Sequence, residues 1–567
     1  MDSPPAARTA SILDTRSHQM FPTLVPAELE RLRRFGEPRR YRAGDYLART
    51  GEVTPGMFLL LRGEVVVRAH DGYTAPIVTH GAGSFMGELA QLSGRPSLVD
   101  GIALGDVEVL VVPPQRLRSL LVEEAELGER ILRGFILRRV GLIERGAGGP
   151  VLVGRAGDAG VLRLENFLAR NGHPRQRLDP EVDAGARTLL ERFQIGPHEL
   201  PIVLCPNGSF LRNPSEEDLA RCLGMVSAID AAKPYDVAIV GAGPAGLAAA
   251  VYAASEGLSA LVLDCRSFGG QAGASSRIEN YLGFPTGITG HALMARAYNQ
   301  AQKFGVEFAI PDEVVALECH PDRTVARFRL RLANQERASA RGVVIATGAR
   351  YRRLDVANLA EFEGTSVHYW ASPLEARLCS GAEVAVAGAG NSAGQAVVYL
   401  AAQAARVTML VRGASLEASM SRYLVDRIVA LPNVDVRLGT EVVGLDGARG
   451  GLETIRTRSR EGEAERKASQ LFLFIGADPN TAWLAGGDVA LDAKGFVRTG
   501  AEAGPGERHP LETSRPGVFA IGDVRCGSVK RVAASVGEGA QVVAALHAFL
   551  ARAGEATAVP REARSIG

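Results

Sequence analysis

The sequence has little cysteine, and none of it stands at Cys-x-x-Cys spacing: Cys205, Cys222, Cys265, Cys319, Cys379 and Cys526 are scattered through 567 residues. This excludes a zinc ribbon and a vicinal redox dithiol, and predicts six buried or incidental free thiols and no metal site. An excess of one charge is also missing. Lys+Arg 64 against Asp+Glu 63 leaves a formal charge of +1, so there is no electrostatic footprint for nucleic acid. The most apolar stretch, 237–252, is broken by glycines and a proline and is too short for a membrane span. Residues 1–20 mix Asp, Arg, His and Pro and lack the apolar core of a secretory signal. A soluble, cytoplasmic protein is the expectation.

At about 150 residues per domain, the chain is long enough for three or four units. From Phe21 to Arg145, β-type runs at 57–62 and 64–68 alternate with Gly-Asp and Gly-Glu turns, the pattern of a small β-barrel or jelly roll. Leu117 to Arg145 then turns helical, with Leu120, Leu121, Leu127, Ile131, Leu132, Phe135 and Ile136 on one stripe. Gly146-Ala-Gly-Gly-Pro150 reads as a linker. Residues 151–232 carry a strand at 151–153, a helix at 162–170 and a strand at 202–204 after Pro201. This small βαβ-type unit has little margin to fold alone. From Tyr235 onward strands alternate with helices, which predicts parallel α/β structure. The tail 551–567, rich in Ala, Arg, Glu and Pro, is expected to be disordered.

Two glycine-rich turns carry the chemistry. Gly241-Ala-Gly-Pro-Ala-Gly246 follows the apolar strand 237–240 and opens a helical run. Gly241 serves a tight turn, Gly243 lets backbone approach a pyrophosphate, and Gly246 lets helix pack on strand, with Pro244 and Ala245 in the first helical turn. The helix N-terminus supplies N–H donors to the anion. The next strand, 260–263, ends at Asp264, an acid at the distance expected for an adenosine ribose. The second turn, Gly388-Ala-Gly-Asn-Ser-Ala393, places Gly388, Gly390, Asn391, Ser392 and Ala393 in the same roles. Its following strand, 407–411, ends in Arg412, where a guanidinium suits the extra ribose phosphate of NADPH, although a solvated strand end reads the same way. The pair predicts a flavoprotein fed by a nicotinamide.

From Tyr235 to Leu550 the chain resembles the low-molecular-weight thioredoxin reductase branch of the pyridine nucleotide-disulfide oxidoreductases. The motifs are Gly269-Gly270-Gln271-Ala272, Ile278-Glu-Asn280-Tyr281, Gly283-Phe-Pro285, Ala346-Thr-Gly348, Phe519-Ala-Ile-Gly522-Asp523 and Lys530-Arg531-Val532. The resemblance implies FAD and NADPH as cofactors, with Asp523 on the ribityl chain and 530–532 along the isoalloxazine. It also implies an FAD domain (233–348 and 478–550) interrupted by an NADPH domain (349–477), and a homodimer.

In that family the redox dithiol precedes the second glycine turn, where this chain reads Val367-His-Tyr-Trp-Ala-Ser-Pro373. Tyr369 and Ser372 stand near the positions of the two thiols, and Cys379 follows alone. Other homologues carry a redox cysteine inside the first glycine turn, at the position of Ala245 here. No side chain is therefore assigned as catalytic. His368, Tyr369 and Trp370 either cover the flavin or pack between strands. The electron acceptor is left open among oxygen, a quinone, another small molecule and a carrier protein. A flavin- and nucleotide-binding sensor or scaffold with little turnover is the alternative.

The module 1–145 resembles the cyclic nucleotide-binding domains. Turns at Gly44-Asp45, Gly51-Glu52 and Gly63-Glu64 fit the barrel, and Phe85-Met-Gly87-Glu88-Leu89-Ala90 matches the start of the phosphate-binding cassette. The resemblance gives Glu88 a ribose hydroxyl. The cassette's arginine is replaced by Ser97, so a bound cyclic nucleotide and a fold retained without one both stand. Residues 151–232 resemble a thioredoxin or glutaredoxin fold through 164–171, the expected cis-proline strand at 200–203 and the Asn207-Gly208 turn. The loop 154–160 contains no cysteine, which predicts a degenerate spacer.

Overall fold

Alternating apolar side chains build the N-terminal part as two antiparallel sheets. The computed structural model describes residues 12–70, 76–155, 157–226, 229–230, 233–320, 327–448, 451–486 and 488–558. The expectations for residues 1–11 and for 559–567 of the tail lie outside the described residues. The chain divides into two units, Met1–Arg155 with Asn171–Val226 and Gln302–Gly305, and Ala156–Arg170 with Ser227–Ala301 and Val306–Gly567.

In the first unit one sheet orders Glu37–Tyr41, Val107–Val112, Met57–Arg62 and Phe85–Met86, and the other Tyr46–Ala48, Asp100–Ala103, Val65–Arg68 and Val78–His80. Along Val107–Val112, Val109 and Val111 enter a core with Phe58, Leu60, Val65 and Met86. Leu110 and Val112 face the other way, toward Leu117, Leu120, Ile131 and Phe135. The period of two therefore buries both faces of this strand. The expected single helix from Leu117 to Arg145 is two helices, Pro114–Glu123 and Ala125–Arg145. Glu124 breaks it with φ −105° and ψ 74°, and its buried carboxylate takes Arg34 at 3.0 Å and also Arg31.

A further sheet of this unit orders Gln176–Leu178, Val151–Val153, Ile202–Leu204 and Phe210–Arg212, the first pair parallel and the others antiparallel. The peptide bond Leu200–Pro201 is cis. The stretch 146–150 is no open linker, because a Cβ on Gly149 would stand 2.0 Å from the Pro174 carbonyl. The expectation of six free thiols is corrected here: Cys205, just past Ile202–Leu204, is disulfide-bonded to Cys222 at the end of the helix Glu216–Cys222. The hairpin and helix return the chain over 17 residues to bring the two Cα atoms within 6.4 Å. No local spacing rule detects such a pair. Cys265, Cys319, Cys379 and Cys526 are free.

The second unit holds two nucleotide-type sheets. In the first, Glu307–Ala309, Ala260–Leu263, Pro234–Val240, Arg337–Ile345 and Val518–Ala520 run parallel, with Phe328–Leu332 and Val314–Cys319 antiparallel at the edge. The second is parallel, in the order Val367–His368, Gln470–Leu473, Glu383–Ala387, Arg406–Val411 and Val434–Leu438. The antiparallel pair Ala349–Tyr351 and Ala477–Pro479 carries the chain between them.

The helix Val532–Ala558 runs through the first part of the tail expected to be disordered, because its alanine-rich sequence keeps high helix propensity. Its portion Val532–Arg552, rather than 237–252, is long and apolar enough to cross a membrane. Val542, Val543 and Leu546 on it are buried in the core around the first glycine turn.

Candidate cofactor and ligand sites

The first glycine turn is forced by its surroundings. Gly241 has φ +112°, and a Cβ there would stand 2.2 Å from the Ala346 carbonyl. Only glycine satisfies both conditions. A Cβ on Gly246 would meet the Gly241 carbonyl at 1.9 Å, whereas Gly243 meets nothing nearer than the Gly270 Cα at 3.9 Å. The backbone at Gly243 is thus bare at the N-terminus of the helix Pro244–Ser255, where a pyrophosphate fits.

Asp264 closes the turn from the neighbouring strand. Its Oδ2 accepts from the Ala242 amide at 2.9 Å, and Oδ1 from the amides of Arg266 at 3.0 Å and Ser267 at 3.1 Å. The loop at Gly269 docks on the same turn, its amide donating to the Ala242 carbonyl at 2.7 Å. Arg170 Nη2 donates to the Gly270 carbonyl at 2.7 Å, and Gln271 donates to the Ala349 carbonyl.

At the C-terminal motif, the Gly522 amide donates to Glu538 at 2.6 Å. The half-buried Asp523 has its carboxyl raised by burial, with the Lys530 ammonium opposing. No described residue forms a hydrogen bond or ion pair with that carboxylate. A bare glycine backbone, an acid at the strand end and a half-buried unpartnered carboxylate fit FAD. Asn280, Lys530 and Arg531 are exposed, and Val532 starts the final helix.

The second turn repeats the arrangement. Gly388 has φ +142° against the Phe474 carbonyl, and a Cβ on Gly390 would meet nothing within 4 Å. Asn391 opens the helix Asn391–Ala401, and its Oδ1 accepts from the Ser421 amide at 2.7 Å. Ala393 is buried in the helix, Ser392 is exposed, and Arg412 stands exposed one residue past Arg406–Val411. The turn fits a second dinucleotide.

Between the two turns lies a crevice lined by Gln271, Ser275, Tyr351, Trp370, Ser392 and Phe474. Of the three aromatic residues singled out before the second turn, only Trp370 lines it. Its Nε1 donates to Oε1 of the buried Glu375 at 3.1 Å, and Asn166 donates to the same oxygen at 3.0 Å. His368 is buried against Gln470 at 2.6 Å, and Tyr369 bonds Glu363. Ser372 caps the helix Pro373–Leu378, accepting from the Leu374 amide at 3.2 Å and donating to Glu375. Sequence reasoning missed Glu375, although Ser372-Pro-Leu-Glu375 is a legible capping box.

Burial and Glu375 push the Cys379 thiol up to about 12, and although Cys265 is exposed as a residue, the enclosure of its sulfur and the adjacent Asp264 raise it as well. Burial also raises Cys319 and Cys526. Hence no free thiol is activated as a thiolate.

In the N-terminal domain a cavity is lined by Gly87, Glu88, Ser97 and Arg138 among apolar residues. Glu88 is buried, and its Oε2 accepts from Arg139 Nε at 2.8 Å and Nη2 at 2.6 Å. The buried Ser97 hydroxyl donates to the Val99 carbonyl at 2.8 Å, and Leu89 is half-buried beside it in the cassette. Neither Arg138 nor Arg139 was anticipated. Adjacent arginines on an amphipathic helix read as a solvated face.

Residues 235–539 match the family described as pyridine nucleotide-disulphide oxidoreductase, and 38–124 match the cyclic nucleotide-binding domain. NADPH-dependent thioredoxin reductase 3 of Arabidopsis thaliana is 34% identical over 330 residues, which is 55% of this chain and 57% of the relative. An alkyl hydroperoxide reductase chain of Pseudomonas putida is 35% identical over 57% of this chain and 59% of its own. The chain thus spans little more than half of these two relatives. A thioredoxin reductase of Listeria innocua is 32% identical, with 54% of this chain and 91% of that one covered. The solved thioredoxin reductase of T. acidophilum aligns with TM-score 0.51 at 27% identity, over 56% of this chain and 98% of the other.

Proposed function

The chain belongs to the pyridine nucleotide-disulphide oxidoreductase family, whose thioredoxin reductase-like members use FAD and NADPH, and from that premise we propose an NADPH-dependent FAD oxidoreductase that works without a redox dithiol. The observation that carries the reading is the occupant of the segment before the second glycine turn. Trp370 and the Ser372–Glu375 cap stand there in place of thiols, and every free cysteine elsewhere has a raised pKa.

FAD held at the first site supplies acceptance of a hydride from the nicotinamide. The residues do the holding and orienting. Gly243 and the helix N-terminus take the pyrophosphate, Asp264 faces the ribose while fixing the turn, and Asp523 takes the ribityl hydroxyls. Arg412 prefers the extra phosphate of NADPH. Trp370 gives the crevice an aromatic wall.

The proposal extends to a cytoplasmic homodimer, and to an N-terminal domain that regulates turnover by binding a small ligand of the cyclic nucleotide class. Anaerobic mixing with NADPH tests the reading. Rapid bleaching of the flavin absorbance supports an oxidoreductase, and unchanged absorbance would leave the sensor or scaffold. Oxygen, a quinone, a ferredoxin and thioredoxin, added separately, then identify the acceptor that restores the colour. Restoration by thioredoxin alone would overturn the absence of a dithiol route.

A further inference from the structure

The N-terminal cavity has apolar walls, among them Met20, Val67, Met86, Val99 and Leu142, and two buried ions, Glu88 and Arg138. Each ion has one polar atom without a partner. Glu88 gives Oε2 to Arg139, but its buried Oε1 makes no hydrogen bond. Arg138 donates from Nε to the Met20 carbonyl at 3.0 Å and from Nη1 to the Gly87 carbonyl at 2.8 Å, and its buried Nη2 donates to nothing. The guanidinium lies over the Phe85 ring at 4.4 Å and the Phe21 ring at 5.2 Å. It is thus packed against both rings.

Buried polar atoms are ordinarily satisfied, and an apolar cavity with a few convergent polar groups is the usual form of a small-molecule site. One unmet donor and one unmet acceptor define what the ligand brings. Charge defines its sign: Glu88 is paired with Arg139, so that Glu88 only partly offsets Arg138, whose Nη2 is left without an acceptor, and Arg145 is exposed at the rim. His80, also on the wall, adds no charge, because burial and Arg138 push it down to about 3. The cassette position offers no anion contact, since the Ser97 hydroxyl is turned to Val99.

We infer that Arg138, and not the cassette, is the anion-binding residue of this cavity, and that its ligand is a monoanion with a nearby hydroxyl on a mainly apolar body. The anion accepts from Arg138 Nη2, and the hydroxyl donates to Glu88 Oε1. This rests on the reading of the domain as ligand-binding. Two sources supply the chemistry, a cyclic nucleotide and a hydroxylated carboxylic acid.

Calorimetry on the full chain separates them, with cyclic AMP, cyclic GMP, β-hydroxydecanoate, decanoate and the methyl ester of β-hydroxydecanoate as probes. At least one hydroxylated monoanion is expected to bind. A charge-assisted hydrogen bond corresponds to about tenfold to hundredfold in affinity. Arg138→Gln should lose that much, Arg138→Lys less, and Ser97→Ala nothing.

Binding that survives Arg138→Gln, or that disappears with Ser97→Ala, overturns the inference, as does a lack of heat with every probe. Should Arg138→Gln not fold, wild-type protein gives the answer: where the hydroxy acid binds, its ester should bind at least about tenfold more weakly. Where a cyclic nucleotide binds instead, Arg138→Lys and Ser97→Ala decide. NADPH bleaching is followed on the same preparation. Intact bleaching without ligand binding defeats this inference alone, whereas ligand binding without any change in NADPH oxidation defeats only the regulatory reading.

Discussion

Trp370 donates its indole N–H to Oε1 of Glu375 at 3.1 Å, and Glu375 is only 2% exposed. The same carboxylate takes Asn166 at 3.0 Å on Oε1, and on Oε2 the Ser372 amide at 3.0 Å and the Ser372 hydroxyl. It therefore organises the segment that precedes the second glycine turn. Glu375→Ala leaves one buried and several half-buried donors unpaired, and the expected loss of stability is about 3 kcal/mol. The chain has two tryptophans, Trp370 and Trp483, so urea unfolding followed by tryptophan emission in a Trp483→Phe background reads Trp370 directly. An unchanged midpoint with unshifted emission would show that the cluster does not hold Trp370.

Asp523 carries a half-buried carboxyl, raised by burial and opposed by Lys530. Hydroxyl donors on a bound flavin would satisfy it. Asp523→Ala is expected to weaken FAD by about tenfold to hundredfold, so that the variant leaves purification depleted of flavin. The absorbance ratio of flavin to protein measures this. Full retention removes Asp523 from the site.

Arg412 stands exposed past its strand, where a phosphate on the adenosine ribose would pair with the guanidinium. Arg412→Glu should weaken NADPH by about tenfold or more and leave NADH little changed. Comparison of KM for the two cofactors decides it. An unaltered preference means that another residue holds the phosphate.

The features legible in the sequence are those written locally. Gly241 and Gly388 stand where the chain turns sharply against another backbone, and that need is visible as a glycine at a strand end. The strands of the N-terminal barrel were visible as apolar runs at 57–62 and 64–68 set between glycine turns. What escaped depends on partners distant in sequence. Cys205 finds Cys222 only after a hairpin and a helix. Glu124 interrupts a continuous helical pattern because Arg31 and Arg34 claim its carboxylate. Arg138 and Arg139 are neighbours of one type, yet Arg139 pairs with Glu88 and Arg138 packs against two aromatic rings. Sequence neighbours on a helix point about 100° apart, and only the packed barrel decides which faces the cavity.

The disulfide makes a count. Without reductant the unfolded chain should show four reactive thiols, from Cys265, Cys319, Cys379 and Cys526, and with reductant six. Six in both conditions would remove the bridge. Closing a loop of this length is worth about 3 kcal/mol in the chain-entropy account, and Cys222→Ser should lower the stability of the first unit by that order.

Acid should weaken the first unit. His80 and His173 are buried, and burial first, with Arg138 beside His80 and Arg139 beside His173, pushes both down to about 3. In the unfolded chain each titrates near the ordinary value of about 6.5. The unfolded state thus binds more protons between those two values, and stability falls as pH drops from about 6.5 toward 3. Two such groups are worth up to about 4 kcal/mol between pH 7 and pH 5. Scanning calorimetry over that range should show the transition of the first unit moving down. His80→Leu, which removes one of the two groups, should reduce that dependence by about half. A transition that holds its temperature from pH 7 to pH 5 would mean that both imidazoles protonate as readily in the folded protein as in the unfolded chain.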